Sequence, residues 1–213
     1  MPIFRVTQKL QKEMNVKNAD LELCDETSGL FAEWYVNVFL LNRIKHVVFV
    51  EKETLFSFTL EKVGRKDLRS KFFELFEKGL GEALYREGAS AEVISAVLEM
   101  HCNSSARYAK TINKRTIAAM NELVKHQNVG YFYHNYPRWR RDHDGRFYIT
   151  KGVASSPKEY MIPMEVFAKA LKEQCELEIE VDKGKHFGER LQRLIVPGGV
   201  EEIDQKAAMI FEV

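Results

Sequence analysis

A change of hydrophobic period just after residue 60 constrains this chain more than any other feature of its sequence. Before it, Val36, Val38 and Leu40 alternate with Tyr35, Asn37 and Phe39, the period of two that a pleated strand imposes. Val47 to Val50 is an unbroken β-branched and aromatic run, as expected of a central strand covered on both faces. Phe56, Phe58 and Leu60 then alternate with Ser57 and Thr59, a strand with one wet face. Asn42-Arg43 and Glu51 to Glu53 mark the turns, so residues 35 to 60 read as an antiparallel β-meander. After it the period becomes 3.6. Leu68, Phe72, Leu75, Phe76, Leu80, Ala83 and Leu84 form one apolar stripe, and Gly88 stands where a helix C-cap glycine belongs.

Further helices follow. Ser90 caps one whose apolar face is Val93, Ile94, Val97 and Leu98; another starts near Asn113, with Ile117, Met120 and Val124 inward. Upstream, Ile3 to Val6 reads as a short strand, and Thr7 caps a turn of helix carrying Leu10 and Met14. Strands first and helices after argue for an α+β layer rather than a parallel βαβ sheet. The expected core is therefore an antiparallel sheet covered by the helices of residues 66 to 125. Beyond Val129, Tyr131 to Tyr133 and Phe147 to Thr150 read as two strands joined by an arginine-rich stretch. Met164 to Cys175 reads as a helix, and Leu177, Ile179 and Val181 as a half-exposed strand. Residues 1 to 128 thus form the expected core, with 129 to 213 as a smaller C-terminal α/β section that extends the sheet or packs beside it.

The N-terminal 125 or so residues resemble an uncharacterised bacterial family, a domain of unknown function. FRVTQKL, WYVNVFLLNRIKHVVFV, the long helix before Gly88 and YAKTINKRTIAAMNELV carry the resemblance, in that order. The family's turn is typically Asn-Arg-Arg-Lys, and Ile44 departs from it. The resemblance implies a bacterial source and brings no activity or catalytic residue.

Charge is unevenly distributed although the whole chain carries only +1. From Ser104 to Tyr148, nine basic residues stand against three acids, a surplus of six that leaves −5 for the remainder. A basic block inside an acidic remainder suggests an anionic partner. Within it, residues 131 to 148 hold seven of the 24 aromatics in 18 residues, interleaved with Arg138, Arg140, Arg141 and Arg146. Aromatic faces such as Trp139 that stack on bases, beside guanidinium groups that fork onto phosphates, are what a single-strand binding groove requires. The alternative is a hairpin with buried aromatics and a solvated arginine loop. Lys110, Asn113, Lys114 and Arg115 form a second candidate, because the free N–H groups and dipole of a helix start attract anions.

His134 and His143, beside Asp142 and Asp144, are the candidates for general acid–base chemistry on a phosphodiester. Their spacing matches no metal geometry, so no metal site is expected, and no nucleotide or cofactor motif is present. His101 and Cys102 diverge on a helix and form no thiolate–imidazole pair. Three cysteines, an odd number, and no apolar run of about 20 residues point to a reducing cytosolic setting away from the membrane. The expected function is a non-catalytic or regulatory module contacting single-stranded nucleic acid through residues 107 to 148. A nuclease-type phosphodiesterase and a protein partner, such as an antitoxin-like or assembly component, are the alternatives. The sequence leaves the oligomeric state open.

Overall fold

A computed structural model describes residues 2–101, 106–133, 149–151, 159–161 and 163–179. The chain opens with β1 (Ile3–Val6), α1 (Gln8–Met14) and a single 3-10 turn (Asn18–Asp20). β2 (Glu33–Leu41), β3 (Ile44–Glu51) and β4 (Ser57–Glu61) follow, then α2 (Arg65–Ser70), α3 (Phe72–Arg86) and α4 (Ala91–Glu99). β5 (Arg107–Lys110) leads into α5 (Lys114–Tyr133); β6 (Ile149–Lys151), β7 (Glu159–Met161) and α6 (Pro163–Cys175) complete the described elements.

Five strands form one sheet in the order β4-β3-β2-β1-β5. β2, β3 and β4 pair antiparallel, with Val38 opposite Val47 and Phe49 opposite Phe58. The sheet as a whole is mixed, which corrects the antiparallel expectation: β1 runs parallel to both β2 and β5. The β1-α1-β2 passage is a parallel crossover, and its long connection is what parallel pairing requires. β6 and β7 pair antiparallel in a separate two-stranded ribbon.

Period-two alternation sends side chains to both faces of the sheet, and each face has its own core. Phe4, Val6, Trp34, Val36, Val47, Phe49 and Phe58 face the helices α1, α2, α3, α4 and α6. Tyr35, Phe39, Leu41, Val48 and Val50 face α5 through Ala119, Met120 and Leu123. The helices therefore divide between the two faces, and Val47 to Val50 is buried on both, as its composition implies. Phe76 lies at the centre of the larger core, with its ring 4.9 Å from Phe4, 5.1 Å from Trp34 and 5.4 Å from Phe49. α6 joins the same core through Met164, Phe167 and Leu171, and Phe167 stacks 4.3 Å from Phe56.

Thr7 and Ser90 cap α1 and α4 by accepting the amides of Leu10 and Val93, and Gly88 takes φ 89° just past α3. Three segments differ from the sequence expectation. The apolar stripe from Leu68 to Leu84 is interrupted at Lys71, where φ of −135° divides α2 from α3. Tyr131 to Tyr133 continue α5 rather than starting a strand, because helical hydrogen bonding propagates once nucleated. Leu177 to Ile179 belong to no strand, and Ile179 instead joins the larger core.

Candidate nucleic-acid interface

The basic block divides at α5. β5 delivers Lys110 beside Val6 of β1, and three residues later the helix begins. Asn113 is its cap: the side-chain Oδ1 accepts from the Thr116 amide at 2.9 Å and from the Thr116 hydroxyl at 3.1 Å. The Asn113 amide donates to the Tyr35 hydroxyl at 2.9 Å, and Nδ2 donates to the Glu26 carboxylate at 2.9 Å. A carboxylate of the chain itself thus stands at the positive end of the helix, where an anion is favoured. Lys110, Lys114 and Arg115 are exposed around it.

What holds this helix start in place is a buried ion pair on the same face of the sheet. Arg5 and Glu33 are 1% and 0% exposed, and the pair is bidentate, with Nε to Oε2 and Nη2 to Oε1 both at 2.7 Å. Arg5 also donates to the carbonyls of Lys110 at 3.0 Å and Asp25 at 2.7 Å. The Thr27 amide donates to Glu33 Oε1 at 2.7 Å. One guanidinium thereby ties together β1, β2, the end of β5 and the segment that carries Glu26. Burial would raise the Glu33 carboxyl, but the bonds from Arg5 and Thr27 outweigh it and hold the group below its ordinary range. Every nitrogen of Arg5 has a partner and the side chain is buried, so this pair positions the helix.

Glu51, at the end of β3, is a second buried acid. Its Oε2 accepts from the amide and hydroxyl of Thr54, both at 2.7 Å, while burial pushes the carboxyl above its ordinary range. His101 lies in the larger core with Nδ1 2.8 Å from the Val97 carbonyl and its ring 4.9 Å from Phe31. Both are enclosed.

The remaining site residues, Arg138, Trp139, Arg140, Arg141 and Arg146, together with His134 and His143, lie outside the described residues. Among the described residues no group of three His, Cys, Asp or Glu side chains could hold a metal ion, and no helix is long and apolar enough to cross a membrane.

The sequence reading passed over Arg5 and Glu33. The available signal was one arginine inside the apolar run Ile3 to Val6, since a charge in a covered strand must find a buried partner. A family model described as a domain of unknown function (DUF6933) matches residues 3–166. The chain belongs to this family. The DUF6933 match extends beyond the resemblance seen over residues 1 to 125, taking in the rest of α5, the aromatic and arginine-rich segment and the first turn of α6. No curated protein and no solved structure matches the chain.

Proposed function

We propose that this protein is a non-catalytic or regulatory module of the bacterial cytosol that contacts single-stranded nucleic acid through residues 107 to 148. The density of aromatics and arginines in residues 131 to 148 carries the reading, seven of the first in 18 positions with four of the second. The helix between the two basic groups supports it. α5 has 20 residues, which at 1.5 Å per residue amounts to roughly 30 Å. Lys114 and Arg115 open that helix, and the arginine segment follows its last residue in sequence. Lys114, Arg115 and Lys125 are exposed along it, and several cations on one helix suit a polymer better than a small anion. Cys24 and Cys175 are free thiols, in keeping with a reducing compartment.

Fluorescence anisotropy with a short labelled oligonucleotide tests the reading. Affinity falls with salt along a log–log slope of about −0.7 per phosphate neutralised on a single strand. Replacing Arg138, Arg140 and Arg141 together with alanine flattens the slope by roughly two units if all three contact phosphate. Trp139→Ala weakens binding by ~1–3 kcal/mol and leaves the slope alone, since stacking releases no counterions. Folded protein that binds no oligonucleotide at low salt defeats the reading and transfers the aromatics to a protein-binding role. Phosphodiester cleavage abolished by substituting His134 or His143 would make the module an enzyme instead.

A further inference from the structure

A second basic face lies at the end of the sheet where β2 turns into β3, built from elements that are far apart in sequence. Glu13 of α1 is its centre. Lys45 of β3 reaches the Glu13 carboxylate at 2.6 Å, Arg65 of α2 reaches it at 3.0 Å, and Arg69 Nε donates to the Glu13 carbonyl at 3.2 Å. The Val63 amide donates to the Lys45 carbonyl at 3.2 Å, which brings the β4–α2 connection against the same turn. Lys9 and Lys12 of α1, Arg43 of the turn, and Lys62 and Lys66 beside them are all exposed.

Glu13 is engaged within the face by Lys45 and Arg65. Glu13 is held down to about 2 by its hydrogen bonds from Arg65 and then Lys45. Asp67 and Glu61 are the other two carboxylates beside these cations. Eight cations (Lys9, Lys12, Arg43, Lys45, Lys62, Arg65, Lys66 and Arg69) stand against three carboxylates, and with Lys9, Lys12, Arg43, Lys62 and Lys66 exposed the surplus positive charge faces outward.

Backbone conformation supplies an independent observation. Arg43 has φ 64° and Lys62 φ 58°, the left-handed region where glycine or asparagine is the unstrained choice. Arg43 is the second residue of a two-residue hairpin loop, the position that Asn-Gly turns give to glycine. Two long cations held in a costly conformation, on one face and exposed, point to a use for their charge.

We propose that this face, made by α1, the β2–β3 turn and α2, binds the phosphate backbone of single-stranded nucleic acid. It is a second contact for the polymer bound by residues 107 to 148, and it rests on that reading. An anionic membrane fits less well. The exposed apolar side chains of the hairpin, Leu40 and Ile44, pair with Lys45 and Leu41 respectively. They point to opposite faces of the ribbon, so they do not form one insertable surface.

The test is the double variant Arg43→Gly/Lys62→Gly in the full chain, measured by oligonucleotide anisotropy against salt. Lys78→Ala/Lys169→Ala serves as a control of equal charge loss. Glycine relieves both left-handed positions, so the variant is expected to fold with a denaturation midpoint no lower than that of the parent. Its salt slope is expected to flatten by about 1.4, twice the single-strand increment, while the control keeps the parental slope. A parental slope in the double variant overturns the face. If the arginine triple variant then loses binding, the reading of residues 107 to 148 stands without it. A flattened slope in the double variant, with no effect of the triple variant, assigns the binding to this face and removes the segment. Protein that binds vesicles containing phosphatidylserine, but no oligonucleotide, overturns both.

Discussion

Phe76 shows how much of this fold hangs on single side chains. It is fully buried and its ring touches aromatics from β1, β2, β3 and β4. Phe76→Ala is expected to cost ~3–5 kcal/mol, since the sheet on one side and the helix on the other cannot collapse into the cavity. Urea denaturation followed by circular dichroism measures it, and a loss below 1 kcal/mol would place the ring outside the core. His101 gives the fold a pH dependence. Its burial holds the imidazole below its usual value of 6.5, so the folded state keeps it neutral. The unfolded chain takes up the proton first as pH falls, and stability rises with pH wherever the unfolded state binds more protons. Stability is therefore fully present above about 6.5 and declines below it, by at most ~1.4 kcal/mol per pH unit for one group. His101→Phe should remove that decline below pH 6.5. The Glu13 carboxyl titrates elsewhere: depressed from 4.5 to about 2, it contributes above 4.5 and loses its contribution between those two values.

At the scale of elements, α3 lies unusually close to the sheet. A Cβ at Gly79 would come within 2.6 Å of Leu60 Cδ2 and 2.7 Å of Phe58 Cε2. Gly79→Ala improves helix propensity by roughly 1 kcal/mol, but the clash with two packed side chains of β4 outweighs it, for a net loss of ~1–2 kcal/mol. A variant that melts higher than the parent in calorimetry would show that β4 yields freely. The Arg5–Glu33 pair works at the same scale, joining β1, β2 and β5 to the start of α5. Glu33→Ala leaves a buried guanidinium unpaired, and removal of one partner of such a pair costs ~3–5 kcal/mol. A cost within experimental error would mean that the Arg5 bonds to backbone carbonyls suffice. The turn Asn42-Arg43 was legible as a turn from residue type alone. That α1 and α2 converge on it was not, because no local pattern links Glu13 to Arg65.

Across the whole molecule, α6 is continuous with the core of the first hundred residues, with Phe167 between Phe31 and Phe56 at 5.5 and 4.3 Å. Phe167→Ala is expected to lower the stability of the entire unit by ~3–5 kcal/mol in one transition. Separate transitions for α6 and the sheet would show that the helix docks without supporting the core. The sequence by itself determined the strands of residues 35 to 60, the caps at Thr7, Ser90 and Asn113, and the two-sided burial of Val47 to Val50, because period and capping are written within a few neighbouring residues. It also marked the segment 131 to 148 as unusual by composition. Only the tertiary structure decided that β1 pairs in parallel with β2 and β5, that the helices divide between two faces, and that cations of α1, the hairpin and α2 form one surface. Strands of four residues are too short to declare a partner, and the register that joins Arg5 to Tyr35 and Ala109 spans about a hundred residues of chain. Such contacts are selected by which surfaces can be buried together, and that selection acts only when the whole chain has closed.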